Sequence, residues 1–272
     1  LVTDGTMNIS AGDDAFHADQ QLTIDGGNVD ILTCYEGLES LDIVVNGGDI
    51  QIVALDDGVN ASNPDVKESM RSDGSMLTIT GGTMVITADG DGLDSNGDAL
   101  MSGGTVIIYG PVNDGNGALD YAGTFTLTGG ELLAGGSTGM LQVPSSSDNA
   151  YTISIGTSGS STITIKDSSG NEIASYSSSK SFGSLVYASD KLNQAETYQI
   201  YAGDNLLGEV TISDHTSYVN TSGMQGGMGQ MQGGMGQKPG DMPQGDMPEN
   251  GDMGDFQGQG DMPRSEERRV GK

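Results

Sequence analysis

The sequence predicts an all-β protein: a parallel β-helix of about six turns, then a small antiparallel β-module and a disordered tail. Three observations predict this order. Glycine pairs recur along the first half of the chain, and apolar residues alternate with polar ones on both sides of each pair. The second half becomes first Ser/Thr-rich and then Met/Gly/Pro-rich. No 3.6-residue period competes with the alternation, so helical repeats fit poorly.

The glycine pairs set a period near 22 residues. Their first members, counted from Asp4, are separated by 22, 21, 34, 22 and 26 residues, and the longest interval contains a polar insertion at residues 63–73. A strand-forming repeat of this length is typical of a solenoid, which we assign to residues 1–144. The pairs are Gly26-Gly27, Gly47-Gly48, Gly81-Gly82, Gly103-Gly104 and Gly129-Gly130, with Asp4-Gly5 as a degenerate first copy.

Apolar residues occur four and two positions before the first glycine of each pair, then three and five positions after it. This two-residue alternation predicts short strands with one buried face on each side of a tight turn. The sets are Leu22, Ile24, Val29, Ile31; Ile43, Val45, Ile50, Ile52; Leu77, Ile79, Met84, Ile86; Ala99, Met101, Val106, Ile108; and Phe125, Leu127, Leu132, Ala134.

The remaining segments differ in composition. Residues 145–219 carry strand-like runs at 151–155, 162–166, 172–176, 185–187, 197–201 and 209–212, and predict an antiparallel β-module that caps the solenoid. Residues 220–263 hold eight of the 14 methionines among Gly, Pro, Gln and Asp and predict a disordered tail. Residues 264–272 resemble the translation of a sequencing adapter and are excluded from the functional interpretation. Leu1 lies inside a repeat, so we expect a fragment that has lost a signal or lipoprotein segment.

Charge limits the possible partners. The chain has 38 acidic and 10 basic residues and a net charge of −28. This composition argues against binding nucleic acid or an anionic membrane, and it suits divalent cations.

The single cysteine, Cys34, permits no intrachain disulfide, and no apolar run is long enough to span a membrane. We expect a monomer.

An acidic corner recurs in register with the glycine pairs. Ten residues after the first glycine position stand Asp14, Glu36, Asp57, Asp91 and Asn113; thirteen residues after it stand His17, Glu39, Asn60, Asp94 and Asn116. The fifth copy is longer, so Asp120 is an equal candidate there. Carboxylates stacked at strand spacing repel one another, and calcium ligands are carboxylate, carbonyl and amide oxygens. The corner therefore predicts calcium binding.

The alternative without metal is a ladder of Asx turns in which the side chains cap backbone amides. An EF-hand is excluded because Leu93 stands where its third oxygen ligand belongs. His17 is a candidate ligand, a sugar contact or a hydrogen-bonded turn residue. The predicted metal ligands are Asp13, Asp14, Glu36, Glu39, Asp56, Asp57, Asn60, Asp91, Asp94, Asn113, Asn116 and Asp120.

The motifs Gly12-Asp-Asp-Ala-Phe-His-Ala-Asp19, Tyr35-Glu-Gly-Leu-Glu39 and Asp56-Asp-Gly-Val-Asn-Ala61, with the Gly-Gly strand repeats, resemble a bacterial family. This is the secreted, polysaccharide-lyase-like, carbohydrate-binding β-helix family of clostridial type. The resemblance covers roughly residues 1–219. It implies a right-handed β-helix, bound Ca²⁺, an extracellular or cell-surface location, and binding of plant polysaccharides such as acidic pectin (polygalacturonate) and cellulose.

Three functions are open at this point. The first is calcium-loaded, non-catalytic polysaccharide binding, with Tyr35, Tyr109, Tyr121 and His17 as candidate sugar contacts. The second is a calcium-dependent pectate lyase, whose cationic base would be Lys67 or Arg71 in the insertion. The third is a surface adhesin or ice-binding rod, although Thr-x-Thr pairs occur in only two repeats, at Thr78 and Thr126.

Overall fold

A computed structural model describes residues 1–66 and 71–221, and every regular element in these ranges is a β-strand. The all-β prediction is confirmed, and these residues contain no helix that could cross a membrane. Residues 222–263 of the predicted tail and the adapter-like end lie outside the described residues. The strands are β1 (Thr6–Ser10), β2 (Phe16–Ile24), β3 (Asn28–Cys34), β4 (Leu38–Val45), β5 (Asp49–Ala54), β6 (Val59–Ala61), β7 (Met76–Ile79), β8 (Thr83–Ala88), β9 (Leu93–Ser95), β10 (Asp98–Met101), β11 (Thr105–Tyr109), β12 (Leu119–Tyr121), β13 (Phe125–Leu127), β14 (Glu131–Gly136), β15 (Ser146–Ser147), β16 (Tyr151–Gly156), β17 (Ile163–Lys166), β18 (Glu172–Tyr176), β19 (Ser184–Ser189), β20 (Thr197–Ala202), β21 (Asn205–Thr211) and β22 (Thr216–Val219).

The first part of the chain is a parallel β-solenoid of about six turns, as predicted. The strand after each glycine pair stacks on its equivalent in the next turn, in the order β1-β3-β5-β8-β11-β14. We call this stack the outer sheet. The strands at the acidic corner and the strands before each glycine pair form a second continuous sheet, in the order β12-β9-β6-β4-β7-β10-β13-β15. In the first two turns, the single long strands β2 and β4 cover both positions.

The core lies between these sheets and consists of the alternating apolar residues. All twenty members of the five predicted sets are buried, and Cys34 is buried among them. Equivalent residues stack in register, for example Ile31 on Ile52 and Ile52 on Ile86. A narrow core of this kind needs only one apolar residue at every second position, which explains how a chain with 34% apolar residues builds it.

Each residue of a glycine pair has its own reason to be glycine. A Cβ on Gly47 would lie 2.6 Å from the carbonyl oxygen of Asp25 in the preceding turn, and one on Gly103 would lie 2.4 Å from that of Thr80. The second glycine has a positive φ in every copy, such as +96° at Gly48. Gly5 also has a φ of +102°, so Asp4-Gly5 is confirmed as the first copy.

The antiparallel module is joined to the solenoid by hydrogen bonds. Strand β19 pairs antiparallel with β14 and thereby covers the last edge of the outer sheet. A separate antiparallel sheet, β18-β17-β20-β21, packs over it. Two details differ from the sequence prediction: β15 still pairs with the solenoid beyond residue 144, and β22 at Thr216–Val219 was not predicted. Both strands are short and rich in hydroxyl residues, so they lack an apolar alternation.

Candidate metal centre at the acidic corner

The register of the corner strands β2, β4, β6, β9 and β12 brings polar side chains of successive turns into one column. Each member of this column is paired with its equivalent one turn away. The column runs His17, Glu39, Asn60, Asp94, Asp120. The predicted spacing of thirteen residues is therefore correct for the first four turns, and the fifth position belongs to Asp120.

A second column lies three residues earlier, where the chain enters each corner strand. Its members are Asp14, Glu36, Asp57 and Asp91, with Gly117 in the fifth turn. Backbone hydrogen bonds set this register: Gly37 N–H donates to the Asp57 carbonyl at 3.0 Å, and Gly58 N–H donates to the Asp91 carbonyl at 2.9 Å. The two columns stand side by side, so each of the first four turns presents a pair of polar side chains.

Asn113 and Asn116 do not join these columns, which corrects the prediction for the fifth turn. That turn contains four additional residues before its corner strand, so counting from the glycine pair stops short. Asn113 is exposed in a tight turn, where its Oδ1 accepts the Gly115 N–H at 3.0 Å. The Asn116 carbonyl oxygen accepts the Ser137 hydroxyl at 2.6 Å.

The first two turns form a cluster of two carboxylates and a histidine. Asp14, His17 and Glu39 bring their ligand-type atoms within 4.8 Å of one another. His17 Nδ1 hydrogen-bonds Glu39 Oε2, and it lies 3.5 Å from Asp14 Oδ2. The hydrogen bond to Glu39 raises the pKa of His17, while burial and the neighbouring Glu39 raise the pKa of Asp14 to about 6. The imidazole thus gives the Glu39 carboxylate a side-chain hydrogen-bond partner within the cluster.

The third and fourth turns form a cluster of oxygen ligands. Asp57, Asp91 and Asp94 place one carboxylate oxygen each within 4.8 Å of the others. Backbone N–H groups orient two of them: Asp91 N–H donates to Asp57 Oδ1 at 2.6 Å, and Gly117 N–H donates to Asp91 Oδ1 at 2.5 Å. One oxygen of each of these carboxylates is engaged, which leaves the other available to a cation. We call Asp57, Asn60, Asp91 and Asp94 the acidic square.

The carboxyl groups of the acidic square ionise with difficulty in the absence of a cation. Burial, followed by repulsion from Asp91, raises the pKa of Asp57 to about 7. Burial is also the main cause at Asp91, whose pKa is raised to about 6. Burial and the Asp57 and Asp91 carboxylates raise the pKa of Asp94 to about 9. A bound cation would reverse this effect and hold all three groups in the ionised form.

Asn60 completes the square, and its side-chain oxygen indicates whether the square suits a cation. Its Nδ2 donates to Glu36 Oε2 at 3.1 Å, which fixes the orientation of the amide. Its Oδ1 is buried and has no hydrogen-bond partner among the described residues. A buried amide oxygen without a donor is costly unless something electropositive contacts it. Three carboxylates and this oxygen are a donor set that fits calcium.

Glycines allow the turns to approach closely at the corner. A Cβ on Gly90 would lie 2.4 Å from the Oδ1 atoms of both Asp56 and Asp57. A Cβ on Gly58 would lie 2.7 Å from the Gly92 carbonyl oxygen and 2.2 Å from Ile86 Cγ2. The glycines that the sequence places beside the acids are therefore required by space, and the Gly58 and Gly92 carbonyls accept ladder hydrogen bonds from Leu38 and Val59.

Other predicted ligands lie around the two clusters. Glu36 is half-buried, and burial raises its pKa to about 8. Asp120 accepts a hydrogen bond from Gln142 Nε2 at 2.7 Å, so an amide donor closes this end of the column. Asp13 is exposed and lies outside both clusters. Asp56 hydrogen-bonds the Tyr35 hydroxyl, which raises the pKa of Tyr35 to about 12.

Of the predicted sugar contacts Tyr35 and Tyr121, only Tyr35 has a ring that is exposed to a ligand. Tyr35 is 43% exposed beside Asp56. Tyr121 packs against the core, with its ring 6.0 Å from that of Phe125 and its hydroxyl donating to the Val143 carbonyl at 2.6 Å. Because its ring and its hydroxyl are both used for packing, Tyr121 does not offer a face to a sugar.

Of the two candidate bases for a lyase, only Arg71 lies among the described residues. Arg71 is exposed in the insertion between β6 and β7, and Lys67 lies outside the described residues. The insertion is closed at its base by the Asn63 N–H, which donates to Asp73 Oδ2 at 2.7 Å.

Gln142 and Lys180 contact acidic residues at the corner, although neither is among the predicted ligands. Lys180 Nζ donates to the Ala88 carbonyl at 2.6 Å and to Asp89 Oδ1 at 2.9 Å, across more than ninety residues of chain. No local spacing connects such distant residues. The only available signal was the scarcity of cations, since each basic residue in a chain with charge −28 is a candidate partner for the acids.

Comparison with known proteins gives one finding. The model of a family described as carbohydrate-binding domain-containing proteins matches residues 1–66, which span the first turns and the first three members of each column. No curated protein and no solved structure matches the chain.

Proposed function

We propose that this protein is a non-catalytic polysaccharide-binding protein whose solenoid is stabilised by calcium. The observation that carries the proposal is the acidic square, in which Asp57, Asp91 and Asp94 converge and Asn60, paired with Asp94, has a buried side-chain oxygen without a hydrogen-bond partner among the described residues. The match of residues 1–66 to a carbohydrate-binding family supports the choice of polysaccharide as the ligand.

Calcium suits the acidic square better than the other common divalent ions. All candidate ligands are oxygens, so thiophilic and imidazole-preferring metals lack their usual partners. Mg²⁺ requires a near-octahedral shell and retains several waters, whereas Ca²⁺ accepts six to eight oxygens in irregular geometry. The cation would neutralise adjacent turns of the corner and hold them in register. In the cluster of the first two turns, His17 already hydrogen-bonds Glu39, so we assign a single ion to the square.

The polysaccharides proposed as ligands are those of the plant cell wall, either acidic pectin (polygalacturonate) or cellulose, encountered outside the cell or at the bacterial cell surface. The two polysaccharides differ in the electrostatic repulsion that they experience from a protein with a net charge of −28. Polygalacturonate needs calcium to bridge two sets of carboxylates, whereas a neutral glycan does not.

Co-sedimentation tests this function. The protein is mixed with microcrystalline cellulose, and separately with calcium-free polygalacturonate beads, in the presence of either calcium or EDTA. We expect retention on at least one of them in calcium, and no release of unsaturated uronides from polygalacturonate. Failure to bind either polysaccharide would contradict the proposal, and sustained uronide release would favour the pectate lyase.

A further inference from the structure

A groove on the outer sheet is lined by residues that do not belong to the acidic square. It has a volume of about 300 Å³ and is lined by Thr87, Tyr109, Ser177, Ser179 and Lys180. Thr87 and Tyr109 are paired neighbours on β8 and β11, and they alternate with the buried Ile86 and Ile108, so their side chains lie on the outside of the solenoid. The segment between β18 and β19 supplies the other three residues and forms the wall of the groove.

Both parts of the groove are held in place by side-chain contacts. The Tyr109 ring lies 5.5 Å from the ring of Tyr176, which is buried and whose hydroxyl donates to the Ile108 carbonyl at 2.8 Å. The wall is fixed by Lys180, whose ammonium donates to the Ala88 carbonyl and to Asp89. A preformed groove of this kind loses little conformational freedom when a ligand binds.

The groove offers the chemistry that recognises a sugar. Tyr109 is half-buried against Tyr176, and the part of it that lines the groove gives an aromatic surface. Thr87, Ser177 and Ser179 give hydroxyl groups that both donate and accept hydrogen bonds. The Lys180 charge is offset by Asp89 at 2.9 Å, so the groove has no net charge to attract an anion. Elsewhere the chain is strongly acidic and repels anionic ligands.

The apolar surface continues from the groove along the solenoid. Val53 is paired with Thr87 on the adjacent strand and is 45% exposed, and Leu55, two residues further, is 64% exposed. Consecutive turns thus present Tyr109, Thr87 and Val53 in one row across the strands. A row of this kind suits an extended chain of sugar rings lying along the solenoid axis.

A second groove lies on the module sheet, but its aromatic ring is not free to contact a sugar. It is lined by residues that include Lys166, Tyr201 and Asp204. The Lys166 ammonium lies 5.1 Å from the centre of the Tyr201 ring, so the cation covers a ring face that a sugar would need.

We propose that the groove between Tyr109, Thr87 and Lys180 is a subsite for a neutral polysaccharide, which binds along the outer sheet. This inference rests on the proposed function and adds the position of the glycan and its lack of charge. It separates the glycan site from the acidic square, so calcium acts on the fold and does not bridge to the ligand.

Paired substitutions on one strand test the subsite. Thr87→Glu fills the groove, whereas Thr83→Glu places the same group on the same strand and the same outer face, four residues away. Binding of cellohexaose and of a galacturonic acid oligomer is measured by calorimetry in calcium, and thermal unfolding verifies that each variant is folded. Tyr109→Leu, which keeps an apolar side chain but removes the ring, serves as a second variant.

We expect the wild type and Thr83→Glu to bind cellohexaose alike, and Thr87→Glu and Tyr109→Leu to bind it at least tenfold more weakly. Equal binding by all four proteins would overturn the subsite while leaving the proposed function intact. Binding of the acidic oligomer alone would also overturn it. Failure of the wild type to bind any polysaccharide would remove the proposed function together with the subsite.

Discussion

Asn60 and Asp94 are directly paired between β6 and β9, and the side-chain oxygen of Asn60 is buried there without a hydrogen-bond partner among the described residues. The pair joins the third and fourth turns of the solenoid at the point where Asp57 and Asp91 also converge. An arrangement that contains three carboxylates and an unsatisfied acceptor needs an electropositive partner, which is why we interpret it as a calcium site.

Asn60→Ala should weaken calcium binding by about tenfold, because it removes one oxygen ligand and the amide that orients Glu36. The affinity is measured by competition with a calcium-sensitive dye. Asn113→Ala is the matched control, because the glycine-pair spacing assigns Asn113 to the same corner, whereas the structure places it in an exposed turn. Equal affinities for the two variants would contradict the assignment of Asn60.

Calcium should raise the thermal stability of the folded chain. At a free concentration one hundred times the Kd, binding to the native state alone contributes about 2.7 kcal/mol. For a protein of this size, the melting temperature should rise by roughly 5–10 °C over that in EDTA. Differential scanning calorimetry measures the shift, and magnesium at the same concentration is the control. An identical melting temperature in calcium and in EDTA would contradict calcium binding and indicate that the corner is a ladder of Asx turns without metal.

The stability of the calcium-free protein should fall as the pH rises. Asp91, Asp57 and Asp94 have folded-state pKa values raised by burial to about 6, 7 and 9, from an ordinary value of 3.8. Between about pH 4 and pH 9 the folded chain therefore binds more protons than the unfolded chain, and the free energy of unfolding decreases with pH. His17 acts in the same direction, since its raised pKa gives stability that is lost when it deprotonates.

Melting curves in EDTA at pH 5 and pH 8 measure this dependence. We expect the lower melting temperature at pH 8, and a smaller drop for Asp94→Asn, which carries no ionisable group at that position. Adding calcium should reduce the difference, because the ion binds the deprotonated carboxylates. A melting temperature in EDTA that rises between pH 5 and pH 8 would contradict the raised pKa values.

Gly58→Ala should destabilise the solenoid even though alanine is a small residue. Its Cβ would lie 2.7 Å from the Gly92 carbonyl oxygen and 2.2 Å from Ile86 Cγ2, and the cost of such overpacking is typically about 1–3 kcal/mol. Urea unfolding in calcium measures it. Gly12→Ala is the control, because a Cβ at Gly12 would have open space around it. Comparable stability of the two variants would show that the turns are not packed as closely as described.

Much of the solenoid is predictable from the sequence, because its determinants are local. The glycine pairs, the alternation around them and the polar columns all follow one period, so counting from Gly26 identifies Glu36 and Glu39 correctly. Counting fails in the fifth turn, where four extra residues shift the corner strand and Asp120 takes the position assigned to Asn116. An insertion changes the count but not the stacking, since hydrogen bonds to the preceding turn set the register.

The candidate site was less predictable, because its character depends on which side chains face each other. The sequence suggests a uniform ladder of carboxylates. In the structure, His17 hydrogen-bonds Glu39 in the first cluster and Gln142 donates to Asp120 at the far end, whereas the side-chain oxygen of Asn60 in the square has no donor among the described residues. The groove beside Tyr109 depends on Lys180, whose contact with Asp89 spans 91 residues and has no local signature.

The most direct measurement of the central claim is the calcium stoichiometry of the wild type, Asp94→Asn and His17→Gln, determined by isothermal titration calorimetry at pH 7.5. We expect one ion per chain for the wild type and for His17→Gln, and no measurable binding for Asp94→Asn. Several ions per wild-type chain, or unchanged binding by Asp94→Asn, would contradict a single site at the acidic square.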